Sequence, residues 1–137
     1  MNANSTDAGV LVGIRPGTVP AAMSAGTRNS AAVDRFSFDS CVLTASTGAA
    51  TGAPTALSLA AKLQESADGQ TGWADLPDAA IAPLTAPNAV ARVNVRLPTA
   101  QRYLRVVETV ALTGGTSPTL GASSLIVLCG PDEIPAT

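Results

Sequence analysis

The residue types that do most acid–base and nucleophilic chemistry are thinly represented in this chain. It contains no histidine. That removes the commonest general base and the Ser-His-Asp and Cys-His arrangements. Two carboxylates flank the single tryptophan, Asp68 and Asp75 on either side of Trp73. Such a pair could hydrolyse a glycosidic bond if held about 5–9 Å apart. Asp68 is followed by Gly69, however, and Asp-Gly is a turn dipeptide in which the carboxylate caps nearby backbone N–H groups. The structural role is therefore the stronger reading for Asp68 and Gly69. Neither aspartate sits in an oxygen-ligand loop of calcium-binding spacing. Cys41, in Cys41-Val42-Leu43, and Cys129, ending Leu125-Ile126-Val127-Leu128-Cys129, read as buried small hydrophobes with free thiols. A disulfide between them would need an oxidising compartment, and two cysteines without histidine do not make a zinc site. Gly114-Gly115-Thr116 lacks the lysine and helix of a phosphate loop. The expectation is a protein that is not an enzyme, with no catalytic residue, no metal ligand set and no cofactor.

The segments that hold these residues read as strands. Leu57, Leu59, Ala61 and Leu63 alternate with Ser58, Ala60, Lys62 and Gln64, the period of a strand with one wet face. This strand enters the Ser66-Ala67-Asp68-Gly69 turn, and Trp73 is expected to fold over the hairpin and cover its small residues. Val33 to Ala45 forms an earlier strand carrying Phe36 and Phe38. Pro77, Pro83 and Pro87 punctuate the next stretch, which leaves room for a short edge strand around Ile81 to Leu84. Val90 to Leu97 has two clear faces: Ala91, Val93, Val95 and Leu97 on one, Arg92, Asn94 and Arg96 on the other. Arg102 to Leu112 follows, with Glu108 on its more apolar face. Either a bulge shifts the register there, or Glu108 pairs with an arginine near the sheet end. Ala122 to Cys129 is apolar on both faces near its end, so it is central or covered by an interface. Val10-Leu11-Val12-Gly13-Ile14 is an apolar segment in an otherwise small and polar stretch. It is either an arm that pairs with a sheet edge, in this molecule or a neighbour, or an ordinary first strand.

Six to eight strands and no helix make the fold all-β, a single antiparallel β-sandwich of jelly-roll type with an extended N-terminal arm. The arm is residues 1–32, the sandwich residues 33–130 and a polar tail residues 131–137. At 137 residues the chain is one domain by size. Leu, Ile, Val and Phe together number only 31, against 26 alanines, so the core is thin and neighbours are expected to add stability. The net charge is −2 and no dense basic patch marks a nucleic-acid surface. No run approaches the roughly 18 apolar residues of a membrane span. The N-terminus lacks the basic start and apolar block of a signal peptide, so the chain is expected to be made in the cytoplasm and used without secretion.

Three pieces taken together carry a resemblance. They are Leu63-Gln64-Glu65-Ser66-Ala67-Asp68-Gly69 with Trp73-Ala74-Asp75-Leu76, then Gln101-Arg102-Tyr103-Leu104-Arg105-Val106-Val107, then Thr113-Gly114-Gly115-Thr116 with Ser124-Leu125-Ile126-Val127-Leu128. In this order they resemble the jelly-roll cement or decoration proteins of tailed-bacteriophage capsids. The resemblance implies a homo-oligomer, dimer or trimer, on the capsid outer surface of the virion, clamping neighbouring major capsid protein subunits. On that reading the partner-binding residues are Val10, Leu11, Val12 and Ile14 in the arm. Arg92 and Arg96 would supply rim charges, with a solvated strand face as the alternative for each. Ser-x-Asp-Gly beside a tryptophan also occurs in sugar-binding β-sandwiches and tail-fibre modules. The competing readings are thus a carbohydrate-binding sandwich, with Trp73 or Tyr103 stacking on a sugar, and a tail or neck subunit.

Overall fold

The computed structural model of the protein describes residues 7–131. A single 3-10 turn, Ala8–Val10, precedes ten strands: β1 Val12–Pro16, β2 Ala21–Met23, β3 Gly26–Asn29, β4 Val33–Asp34, β5 Phe38–Thr51, β6 Ala56–Ser66, β7 Ala74–Ala80, β8 Val90–Arg96, β9 Tyr103–Thr113 and β10 Thr119–Pro131. They form two five-stranded antiparallel sheets. The first runs β1-β10-β5-β8 with β2 also on β10. The second runs β3-β9-β6-β7 with β4 also on β9. Early strands pair with late ones and β6 with β7, the winding of a jelly roll.

Alternation builds the core. Cys41, Leu43 and Ala45 of β5 and Ala122, Ile126 and Leu128 of β10 face Leu59, Ala61 and Leu63 of β6 and Leu104, Val106 and Val110 of β9. Cys41 pairs with Leu128 and Cys129 with Ser40, which puts the two sulfurs on opposite faces of the sheet. Both thiols are free. Burial pushes the Cys41 thiol up to about 12, so it stays protonated at neutral pH.

Glu108 lies in the middle of β9 and is fully buried, in a register that runs unbroken against β6. The pairing alternative therefore holds and the bulge does not. Its Oε1 accepts from Arg28 Nε at 2.6 Å and its Oε2 from Thr18 Oγ1 at 2.6 Å. Arg28 Nη2 also donates to the Ala122 carbonyl, and Thr18 N–H donates to Ser124 Oγ at 2.7 Å. Carboxylate, cation and hydroxyls thus join the two sheets with every partner satisfied, the condition for tolerating a buried charge.

Residues 7–32 of the stretch expected as an arm run along both sheets: β1 and β2 pair with β10, β3 and β4 pair with β9, and Leu11 is buried. The apolar segment pairs with a sheet edge of the same molecule, over Val12–Pro16. One expectation is corrected. The return segment of the hairpin expected around Trp73 is the edge strand β7, Ala74–Ala80, whereas the short edge strand expected at Ile81 to Leu84 does not form and Leu84 makes only an isolated bridge to Leu59. Pro77 fits there because the strand is at an edge and irregular, with a register shift opposite Lys62 and Gln64 and Asp78 at φ +56°.

Candidate functional site

The first sheet turns one face to the core and one outward. The register places the outward side chains in rows across four strands. Val12 lies beside Cys129, Ser40 and Arg96; Ile14 beside Val127, Val42 and Asn94; Pro16 beside Leu125, Thr44 and Arg92. The β1–β10–β5 side is apolar, and Ile14 and Leu125 remain 63% and 46% exposed. The β8 side carries Arg92, Asn94 and Arg96, all exposed. This is a largely apolar surface, interrupted by Ser40 and Thr44 and bordered by cations, a composition that suits a protein-binding face.

Four residues anticipated from sequence meet here: Val12 and Ile14 at one end of the rows, Arg92 and Arg96 at the other. Leu11 does not join them, being packed inside, and Val10 lies in the 3-10 turn before β1. Pro16, Val42, Leu125 and Val127 complete the face without having been singled out. For Leu125 and Val127 the signal was the last strand, apolar on both sides; Pro16 and Val42 lie on β1 and β5 and carried none.

The cations of the described residues divide sharply. Arg28 is held by Glu108, Lys62 by Asp75, Arg102 by Asp34, Arg105 by Gln64 and Arg35 by the carbonyls of Gln101, Phe38 and Ala100. The Arg102 guanidinium holds the Asp34 carboxyl below its ordinary value, and Lys62 does the same for Asp75. Among the described residues, Arg92 and Arg96 engage no hydrogen-bond or ion-pair partner.

The outward face of the second sheet has a different character. Gln64 pairs with Arg105 and Lys62 with Val107 across it, and its charges are satisfied locally. Trp73 is partly buried there, with the Arg105 guanidinium 4.4 Å from its ring centre. At the adjoining turn, Asp68 accepts from the N–H groups of Thr71 and Gln70 and from Thr71 Oγ1 at 2.8–2.9 Å. These bonds to the charged form, the Thr71 N–H first, hold its carboxyl far below the usual range. Gly69 takes φ +76°, and a Cβ there would come 3.0 Å from the Tyr103 ring. One face of each large aromatic is therefore already covered.

No family model matches the chain, and no curated protein matches it. Among solved structures, the PBSX exported protein XepA is similar over 97% of this chain at 15% identity and a TM-score of 0.54. This chain spans 42% of the XepA chain. The SPBc2 prophage-derived protein YomS is similar over 85% of this chain and 95% of its own, at 12% identity and a TM-score of 0.45. The likeness to XepA is one of fold.

Proposed function

We propose that the protein is a structural component of a tailed-bacteriophage virion, a cement or decoration protein on the outer surface of the capsid. Its outward first-sheet face packs on major capsid protein subunits as a dimer or trimer and stabilises the contacts between them. The role is non-enzymatic and needs no cofactor. The observation that carries this reading is the apolar face of Val12, Ile14, Pro16, Val42, Leu125 and Val127, bordered by Arg92 and Arg96. The sequence resemblance supplies the biological setting and the jelly-roll sandwich is consistent with it. A stable interface buries roughly 1,000 Å² or more, and repeated copies of one modest face around a symmetry axis reach that area. A sugar-binding role has less support, because Arg105 covers one face of Trp73 and Gly69 packs on Tyr103.

Co-sedimentation with heads assembled from the major capsid protein of the same virus tests the proposal. The intact protein is expected to pellet with the heads. Ile14→Asp with Leu125→Asp is expected to stay folded, since both side chains are exposed, and to remain in the supernatant. Failure of the intact protein to pellet would remove the capsid role.

A further inference from the structure

We infer that the open edge of β8 receives an extended acidic segment of a partner protein as an added strand of the first sheet. The inference takes the outward face of that sheet as a docking surface and adds the backbone beside it. The edges of the two sheets are not alike. β7 carries Pro77 and a register shift. β1 ends in Pro16, β3 has four residues beginning with Gly26, and β4 has two. Prolines, irregularities and short strands are the usual devices that stop an edge from pairing. β8 has none of them: seven residues, no proline or glycine, in unbroken register with β5 from Ser40–Arg96 to Ser46–Val90.

The phase of the ladder fixes which backbone groups are available. At one end Leu97 N–H donates to the Asp39 carbonyl, and at the other Thr47 N–H donates to the Ala89 carbonyl. Bonded pairs in an antiparallel ladder recur at every second residue. Ala91, Val93 and Val95 therefore direct their N–H and C=O groups at β5, while Arg92, Asn94 and Arg96 direct theirs away from it. The same three residues turn their side chains onto the outward face, and two of them are the unpartnered cations.

These two facts specify the occupant. A strand added antiparallel to β8 would set residues directly opposite Arg92, Asn94 and Arg96, close enough for side-chain pairing. The residues opposite the two arginines are i and i+4 of the incoming segment and share a face. Acidic side chains there would neutralise both arginines, with small or β-branched residues between. Strand addition draws its affinity from the main chain and its specificity from alternate side chains. The competing explanation is that the arginines keep the edge unpaired.

A synthetic peptide with glutamates at i and i+4 separated by valine and threonine separates the two. Titrated into the whole protein, it is expected to bind and to slow amide exchange at Arg92, Asn94 and Arg96. Arg92→Glu with Arg96→Glu is expected to weaken binding roughly tenfold or more, as like charges are brought together. Asn94→Pro removes an outward N–H without touching the β5 ladder or the arginines, and is expected to weaken binding as well. Absence of binding, or binding without amide protection that Asn94→Pro leaves unchanged, would overturn the inference. The capsid reading fails separately: Asn94→Pro protein that still pellets fully with heads, while the peptide does not bind, keeps that reading and removes this one.

Discussion

Two neighbouring residues in one turn set local stability by different means. Gly69 sits at φ +76° with the Tyr103 ring against it, so Gly69→Ala meets both backbone strain and a steric clash. A loss of about 1–3 kcal/mol is expected, read from the urea midpoint. Asp68 works through charge. Its carboxyl is depressed in the folded state by the N–H groups of Thr71 and Gln70, so its contribution is present above the unfolded-state value of about 3.9 and fades as pH falls toward the folded one. Thermal melts of Asp68→Asn beside the unaltered protein should differ most at neutral pH and converge on acidification. A difference independent of pH would mean that geometry alone matters there.

At the scale of elements, the loop and strand from Thr18 to Asn29 are held by the buried Glu108. Glu108→Ala leaves Arg28 without its counter-charge and takes the carboxylate acceptor from Thr18 between the sheets, and should cost about 3–5 kcal/mol in chemical denaturation. Replacing both members, Arg28→Met with Glu108→Leu, should recover most of that loss, because no stranded charge remains. The same elements mark the limit of what sequence discloses. β6 and β8 were readable because Leu59, Ala61 and Leu63, and Arg92, Asn94 and Arg96, alternate cleanly with their neighbours. β2 and β3 were not: Ala21–Met23 and Gly26–Asn29 have no apolar alternation, and their strand form depends on β10 and β9, with Arg28 and Glu108 eighty positions apart. The continuation of β7 past Pro77 was not readable, because proline reads as a breaker, whereas an edge tolerates it. The candidate face on the first sheet was half legible. Single residues on it could be named, but only the register shows that Ile14, Val127 and Val42 are neighbours.

For the whole molecule, the sandwich presents one largely apolar outward face, bordered by arginines unpaired among the described residues, and one whose charges are paired locally. On the proposed function, the first is the one that meets a partner. Its β1 border is part of the fold, so removal of residues 1–20 should do more than abolish association. It deletes β1 and Thr18, and the shortened chain should lose its cooperative melt; a truncated chain that melts normally would show that these residues are dispensable to the fold. The pairing of β1 and β2 with β10 alone also sets a timetable during synthesis. Those two strands are made about a hundred residues before their mate and wait until residues 119–131 emerge, so the first sheet cannot close before β10 is made. A product interrupted before β10 would carry Val12 and Met23 without the strand that half-covers them in the folded chain.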